Sequence, residues 1–391
     1  MSHVAFYITG HGFGHATRMT AVAGAMTAHA PDVQLTFITI VPESLFRLNL
    51  SGPFRLRPRA LDVGVIQHDS LSLDPAATLA AYARLLDRQT ATIEEEAGFL
   101  RREGVDLVVA DIPPAAFPVA QRAGLPGVGI SNFSWDWIYA DYVRDLPEHT
   151  PVLEAIRDAY ARADLLLRLP FHGGCGAFKR IRDIPMIARR SRRSRDEVRG
   201  LLGLNGARPV ILLSFGGFEV QGIDFDRVEA LRDYCFLVTQ PPPRSVRNIQ
   251  VVQLDPRATA NSGNPLGGGK GSMAVGDRRR GSDLPFLKYE DVVSQADAVI
   301  TKPGYGIVSD CLANRTPVLY TSRGQFAEYP RLVEGLQRFG VSAFIENRDL
   351  LAGNWRGSLE ALLQQPRVWA ELPTNGAEVA ADLLRAYLPH A

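Results

Sequence analysis

The stretch "DAVITKPGYGIVSDCLANRTPVLY", residues 297–320, contains a complete strand–turn–helix–strand unit. An apolar run ends at Thr301, and the next five residues, 302–306, hold a proline and two glycines, which predicts a tight turn. A helix is expected over about 307–313, before a second apolar run begins. Such a unit predicts a parallel sheet that is covered by helices.

The same alternation of short apolar runs and helical stretches continues through the rest of the chain. Further buried strands are predicted at 4–8, 34–40, 106–110, 127–131, 165–169, 209–218, 235–239, 249–254, 297–301, 317–321 and 342–346. The segment 78–104 has helical spacing, and Ser194 with Glu197 predicts a capping box where the series restarts. We therefore predict an α/β protein of two Rossmann-like domains, 1–187 and 188–391, with a ligand crevice between them.

Composition excludes several classes of function. The 43 basic residues against 42 acidic ones leave a net charge of +1, which provides no long-range attraction for nucleic acid. The three cysteines are far apart, which argues against a zinc site or a disulfide framework and favours a reducing cytoplasm. No apolar run approaches the roughly 20 residues that span a bilayer. We expect a cytoplasmic protein without a transmembrane segment, and peripheral membrane contact is left open.

The stretch "ITGHGFGHATR" (8–18) follows the first strand and packs three glycines and two histidines into one turn. The backbone N–H groups at the start of the following helix, expected near position 15 or 16, favour an anion in the crevice. A dinucleotide fingerprint would need glycine at position 15, where His15 stands, so hydride transfer is disfavoured. His15 is a candidate general base, and the alternative is a histidine that only caps the helix.

Asp111 lies at the carboxyl end of the strand predicted at 106–110, on the same edge of the sheet as the glycine turn. A carboxylate there could orient the His15 imidazole and stabilise its protonated form. The alternative for Asp111 is a helix N-cap ahead of the two prolines that follow it.

The second half carries two more glycine turns. "SFGG" (214–217) ends one strand, and Gly304 to Gly306 end another at a helix N-terminus, which is a typical site for a diphosphate. Asp310, one turn into that helix, could accept hydrogen bonds from ribose hydroxyls. In the first half, "SNFSWDWIYADY" (131–142) could bind an acceptor sugar, although large aromatics at a helix start are usually core.

Two further segments of the sequence are rich in arginine. The arginine run "ARRSRRSR" (188–195) is interpreted as a solvated linker rather than a ligand site. Residues 255–285 are rich in Gly, Ser and Arg and predict a flexible insertion. Its "GGGKGS" is not a phosphate-binding loop, because the required first glycine and final Ser/Thr are missing.

The order of these motifs resembles the GT-B glycosyltransferases over nearly the whole chain apart from the insertion. The resemblance is closest to the UDP-N-acetylglucosamine transferase of peptidoglycan precursor synthesis and to the glycosyltransferase-like N-terminal part of L-arabinokinases. "GHGFGHATR", "SNFSWDWIYADY" and "TKPGYGIVSDCLANRTPVLYTSRGQFAEYPR" (301–331) are similar to the arabinokinase type in particular.

The resemblance implies roles for individual residues. His15 takes the place of the histidine that activates the acceptor hydroxyl, with Asp111 as its paired acid. Asp310 stands where these families usually have a ribose-binding glutamate, and Glu328 occupies the region that contacts the donor sugar, without the usual aspartate–glutamine pair. The predicted nucleotide-sugar contacts are Gly12, Gly14, Arg18, Ser214, Gly216, Gly217, Phe286, Lys302, Gly304, Tyr305, Gly306, Asp310 and Glu328. The predicted acceptor contacts are Asn132, Trp135 and Asp136.

The sequence and the resemblance together predict an inverting, metal-independent glycosyltransferase that uses a UDP-sugar as co-substrate and needs no cofactor. Two alternatives stay open. One is a non-catalytic nucleotide-sugar-binding module or partner of a sugar kinase, and the other is a nucleotide-sugar epimerase or hydrolase.

Overall fold

The computed structural model describes residues 2–67, 73–204, 206–216, 222–254 and 287–389. The predicted insertion 255–285, together with Gly217 and Phe286, lies outside the described residues.

The strands of the described residues form two parallel sheets. The first sheet contains β1 (His3–Ile8), β2 (Gln34–Ile38), β3 (Arg55–Arg57), β4 (Leu107–Asp111), β5 (Gly127–Ser131), β6 (Leu165–Arg168) and β7 (Ile181–Asp183). The second contains β8 (Val210–Ser214), β9 (Cys235–Val238), β10 (Ile249–Val251), β11 (Ala298–Thr301), β12 (Val318–Tyr320) and β13 (Ser342–Phe344).

Both sheets have the doubly wound strand order. The first is β3-β2-β1-β4-β5-β6-β7, and the second is β10-β9-β8-β11-β12-β13. The order reverses beside β1 and β4 in the first sheet and beside β8 and β11 in the second. In such sheets ligands bind in the crevice outside the carboxyl ends of the strands, at these reversal points.

The helices cover the faces of the two sheets. Those of the first half are α1 (Phe13–His29), α2 (Glu43–Asn49), α3 (Pro75–Leu86), α4 (Gln89–Arg102), α5 (Ala116–Ala123), α6 (Trp135–Asp145) and α7 (Thr150–Tyr160). Those of the second half are α8 (Arg195–Leu201), α9 (Phe225–Ala230), α10 (Tyr289–Gln295), α11 (Tyr305–Asn314), α12 (Glu328–Phe339), α13 (Asn347–Leu351), α14 (Arg356–Leu363) and α15 (Gly376–Arg385).

The α/β prediction is confirmed, and the predicted strands are present with ends that differ by a few residues. The sequence analysis missed β3 and β7, because each has three residues, contains charged side chains and lies at a sheet edge, where no apolar run is needed. The helix predicted over 78–104 is two helices, α3 and α4, since α3 packs against α6 and α7 while α4 packs against α5.

The start of α1 also differs from the prediction. The helix begins at Phe13, about one turn earlier than expected, after Gly12 with a φ of 80°. A side chain at such a φ is strained, so glycine is suited to this turn. Ser194 accepts a hydrogen bond from the Glu197 N–H at 3.3 Å and caps α8, which is one half of the predicted capping box, while the Glu197 carboxylate accepts from Arg193.

Helix α1 connects the two halves of the molecule. Its apolar side lies in one core with β1, with Val308 of α11 and with Ala380 of α15, which returns from the chain end to pack on α1. The predicted boundary at 187 stays a prediction. No helix of the described residues has the length and apolar character that crossing a membrane requires.

Candidate functional site

A cleft of about 940 Å³ lies at the carboxyl ends of both sheets. Its walls come from the glycine turns after β1, β8 and β11, which are the strands beside the two reversal points. The structure therefore brings together the turns that the sequence analysis selected separately.

His15 and Asp111 meet on the first-sheet side of this cleft. β4 pairs with β1, and Asp111 lies opposite Ile8, the last residue of β1. The Asp111 carboxylate is therefore next to the glycine turn that follows β1. His15 Nδ1 lies 2.9 Å from Asp111 Oδ1, and Asp111 is fully buried. The predicted pairing of these two side chains is thus present in the fold.

Arg18 holds the carboxylate from the other side. It donates to Asp111 through Nε and Nη2, both at 2.6 Å, and is itself 4% exposed. Burial would raise the pKa of Asp111, but the positive charge of Arg18 and the contact with His15 outweigh it and hold that pKa below its ordinary value. Asp111 is therefore ionised at neutral pH.

The ionised Asp111 fixes the tautomer of His15. A carboxylate can only accept, so the proton lies on His15 Nδ1, and the nearby Arg18 Nη2 at 3.0 Å is a second donor to Asp111 rather than to the ring. In the neutral ring Nε2 is then the acceptor nitrogen; His15 lines the cleft, and its Nε2 has no hydrogen-bond partner among the described residues. This is the state that a general base requires.

A chain of buried hydrogen bonds continues from Arg18 to the second sheet. Arg18 Nη1 donates to Asn132 Oδ1 at 2.8 Å, and Asn132 Nδ2 donates to Glu328 Oε1 at 2.8 Å. Arg323 Nη1 donates to Glu328 Oε2 at 3.1 Å. Glu328 thus reaches across the cleft, and both of its oxygens accept bonds from protein groups.

These contacts affect the predicted roles of three residues. Arg18 lines the cleft, but its donors are directed at Asp111, Ser131 and Asn132, so its visible function is to hold the acid. Asn132 and Glu328 are joined to each other rather than open to a sugar.

The opposite wall is the turn between β11 and α11. Gly304 is the N-cap of α11 and makes no side-chain cap, so the first N–H groups of the helix point into the cleft lined by Gly304, Tyr305 and Gly306. Lys302, 8% exposed, lines the same wall. This arrangement suits a diphosphate, as the sequence predicted.

The two glycine turns touch. A Cβ built on Gly306 would lie 3.3 Å from Gly14 Cα, and one on Gly14 would lie 3.6 Å from Gly306 N. The N-termini of α1 and α11 therefore converge on one point of the cleft, and only small residues allow this approach. Ser214 and Gly216 line the cleft after β8, with the Ser214 hydroxyl bonded to that of Tyr289.

Asp310 is not an open ribose ligand in this structure. Its carboxylate accepts from the Arg189 backbone N–H at 3.0 Å and from Arg189 Nε at 3.1 Å, and also pairs with Nη2. Arg189 belongs to the run interpreted as a solvated linker, but this residue is largely buried and lines the cleft. That interpretation is wrong for Arg189, because its charge compensates a buried carboxylate.

Trp135 and Asp136 do not line the cleft among the described residues. Trp135 is fully buried in the first-sheet core, and its indole N–H donates to Asp62 Oδ2 at 2.9 Å. Asp136 is 7% exposed and lies 3.5 Å from Arg157 Nε. The core alternative therefore fits both residues better than acceptor contact.

His11 is a cleft residue to which the sequence analysis gave no role. Its Nδ1 accepts from the Val65 backbone N–H at 3.1 Å, so the ring proton lies on Nε2. Burial and the positive charges of Arg323 and Lys302 hold the pKa of His11 well below its ordinary value. The presence of a second histidine in the turn was the signal that could have identified it.

Within the described part of the chain, no group of three or more His, Cys, Asp or Glu side chains is placed to hold a metal ion.

The chain is similar in sequence to L-arabinokinase and in fold to glycosyltransferases. The chain is 31% identical over 390 residues to L-arabinokinase of Arabidopsis thaliana, an alignment that covers 97% of the chain and 34% of the relative. The chain thus spans about a third of the length of that relative. No protein-family model matches the chain.

Among solved structures, the glycotransferase of kitacinnamycin matches with a TM-score of 0.61 and 16% identity, covering 99% of both chains. MurG of Acinetobacter baumannii matches with a TM-score of 0.54 and 12% identity, covering 99% of this chain and all of that one. The two facing sheets are therefore the GT-B glycosyltransferase fold, which confirms the predicted resemblance.

Proposed function

We propose that this chain, with the GT-B fold it shares with glycosyltransferases, transfers a sugar from a UDP-sugar to an acceptor hydroxyl, with inversion and without a metal ion. One observation carries the proposal. His15, whose Nε2 is the acceptor of the neutral ring, lines the cleft beside the point where the glycine turns of α1 and α11 meet. The candidate base and the candidate diphosphate site then line the same cleft.

In this reaction His15 Nε2 takes the proton of the acceptor hydroxyl as its oxygen attacks the anomeric carbon. The bond from that carbon to the diphosphate breaks on the opposite side, so the configuration inverts. Asp111 stabilises the imidazolium through Nδ1–H, and Arg18 keeps Asp111 ionised and in place. The N–H groups of the Gly304–Gly306 turn and the ammonium of Lys302 stabilise the departing UDP.

Arg18 also sets the net charge of the side chains around His15. Because its charge already compensates Asp111, a neutral His15 leaves the trio of side chains without net charge, and protonation gives it a charge of +1. The positive helix N-termini nearby then oppose an imidazolium until the leaving diphosphate becomes more negative. The arrangement thus favours proton transfer only with a nucleotide diphosphate in the cleft.

The alternative of a non-catalytic partner of a sugar kinase rests on one observation. The match to L-arabinokinase covers nearly all of this chain but only 34% of the relative. The name of that relative makes L-arabinose the first sugar to test as a ligand or acceptor.

The two proposals are separated by incubating the protein with UDP-sugars, with and without an acceptor panel that includes L-arabinose, and measuring released UDP. We expect release that depends on an acceptor and continues in the presence of a chelator. Release without any acceptor would indicate a hydrolase, and nucleotide-sugar binding without release would indicate a partner module. Absence of UDP binding in calorimetry would reject both readings of the site.

A further inference from the structure

His11 presents a fixed hydrogen-bond donor to the cleft. Its Nδ1 is occupied by the Val65 N–H, which leaves Nε2–H without a hydrogen-bond partner among the described residues. The ring is stacked on Phe326 at 5.9 Å between centroids and lies edge-on to Trp135 at 5.4 Å. A Cβ on Gly64 would lie 2.6 Å from His11 Cβ, so the backbone closes off the ring from a third direction.

Arg323 presents a second donor group beside it. This side chain is 8% exposed and lines the cleft, and its Nη1 donates to Glu328 and to the Pro303 carbonyl oxygen at 3.3 Å. Among the described residues, its buried Nε has no hydrogen-bond partner and no residue accepts a bond from Nη2. The Nε–Nη2 edge is the one through which arginine binds a carboxylate or a phosphate with two parallel bonds.

Phe326 holds the two donors together. The Arg323 guanidinium lies 3.9 Å from the centre of the same ring on which His11 stacks. Phe326 comes from the second half of the chain but is buried in the first-sheet core beside Phe133 and Trp135. The pair therefore lies on the first-sheet side of the cleft, where Arg323 also contacts Pro303 of the turn before α11.

The chemistry of this pair selects its ligand. Both groups can only donate, and Glu328 compensates the charge of Arg323 on one edge alone. A neutral hydroxyl would leave donors of a buried guanidinium unsatisfied, which is costly. An oxyanion accepts from Nη2, Nε and the imidazole N–H together.

We propose that the acceptor of the transfer reaction carries an acidic group, a carboxylate or a phosphate, and that His11 and Arg323 bind it. The inference rests on the proposed function, since it places the acid on the acceptor side of the His15 base. His11 and Arg323 are then specificity-determining residues for the acceptor, and the diphosphate binds at the α11 turn.

Calorimetry with three monosaccharide probes tests the proposal on the whole chain, in saturating UDP and without nucleotide. The probes are D-glucuronate, glucose 1-phosphate and neutral glucose. We expect one of the two acids to bind in saturating UDP at least about tenfold more tightly than glucose, since charge-assisted bonds are about twice as strong as neutral ones. Whichever acid binds identifies the source of the oxyanion.

The variants His11→Phe and Arg323→Gln should each weaken binding of that acid about tenfold or more and leave UDP affinity within about twofold. Arg323→Lys is the second variant if the first does not fold, because it keeps the charge but loses the paired edge. Arg331→Gln, an exposed arginine on α12, is the matched control and should change neither affinity.

Three results would overturn the proposal: no preference for an acid over glucose, acid binding that UDP abolishes, or a loss of UDP affinity in Arg323→Gln. The last two would place the pair in the diphosphate site. If wild-type protein does not bind UDP but binds an acid through His11 and Arg323, the proposed transferase function fails while the oxyanion site stands.

Discussion

His11 in the glycine turn and His15 in the first turn of α1 lie four residues apart, yet their rings are held in opposite tautomers. His15 faces a carboxylate, so its Nδ1 carries the proton and Nε2 can accept one. His11 faces a backbone N–H, so its Nδ1 accepts and Nε2–H can only donate. The comparison teaches that the partner on the far side of each ring, rather than the turn, decides what the imidazole can do.

Asp111 and the Val65 N–H also differ in the compensating contacts that they need. Asp111 is a buried charge that needs Arg18, and through Asn132 it is connected to Glu328 of the second half. Val65 offers a neutral amide that needs no compensation. The base is therefore supported by a charged network that extends across the cleft, while the donor is supported by one backbone group and aromatic packing.

The largest effect should come from removing the base. We expect His15→Ala to lower the turnover number by about 10²- to 10⁴-fold, the usual contribution of a general base. UDP affinity should stay within about twofold, because the diphosphate is proposed to bind main-chain amides rather than the ring. Released UDP measures the first quantity and calorimetry the second.

The matched control is His29→Ala, an exposed histidine at the other end of the same helix. It should change neither quantity. A His15→Ala protein with near wild-type turnover would remove the base assignment and leave the two histidines equivalent.

The second effect tests the charged partner. Asp111→Asn leaves the Arg18 guanidinium buried without a counter-charge, which should lower the free energy of unfolding by about 3–5 kcal/mol. Urea unfolding measures it. The control is Asp183→Asn, whose carboxylate is 66% exposed beside Arg168, and it should cost at most about 1 kcal/mol. Equal losses in the two variants would contradict the account of a buried, compensated acid.

The sequence predicted the His15–Asp111 pair because Asp111 ends one buried parallel strand and His15 follows the glycine turn after another, and such strand ends lie on one edge of a sheet. It could not predict the donor role of His11, since the partner is a backbone N–H in a segment with no periodic pattern. The same limit applies to the second half. Gly304 and Gly306 were predictable from their turn, whereas the Arg189 bond to Asp310 depends on how the linker crosses the cleft.

Strands, too, were predictable only where the sequence has a regular apolar pattern. Buried strands were visible as apolar runs, and β3 and β7 were not, because edge strands do not need them. The contact of Arg18 with Asp111 was not predicted for a related reason. A cation near a glycine turn suits a phosphate equally well until the fold shows that a carboxylate lies 2.6 Å from it.

A third, smaller effect should affect His11 alone. Gly64→Ala places a Cβ 2.6 Å from His11 Cβ at a φ of 65° and should lower the free energy of unfolding by about 2–4 kcal/mol, from strain plus overpacking. Gly104→Ala has a φ of 64° and open space around it, so it should cost only the strain, about 1–2 kcal/mol.

The difference between these two alanine variants isolates the contact with the ring. Gly64→Ala should also weaken binding of the acidic probe while UDP affinity is kept. Equal stability of the two variants would show that His11 can move aside, which would contradict a fixed donor.

The smallest effect is the pH dependence of stability that the two tautomers imply. The folded pKa of His11 lies well below its ordinary value of 6.5, so between these values the unfolded chain binds a proton that the folded chain lacks. Stability should therefore fall as pH falls below about 6.5, and His11→Asn should lose this part of the dependence. Urea midpoints between about pH 5 and about pH 8 measure it, with His29→Asn as the exposed control.

Asp62, whose pKa burial raises to about 6, contributes with the opposite sign but equally in all three proteins, so it cancels in their differences. A wild-type-minus-variant difference that grows on acidification would mean that folding raises the pKa of His11, and the ring would then carry protons on both nitrogens rather than accept the Val65 N–H.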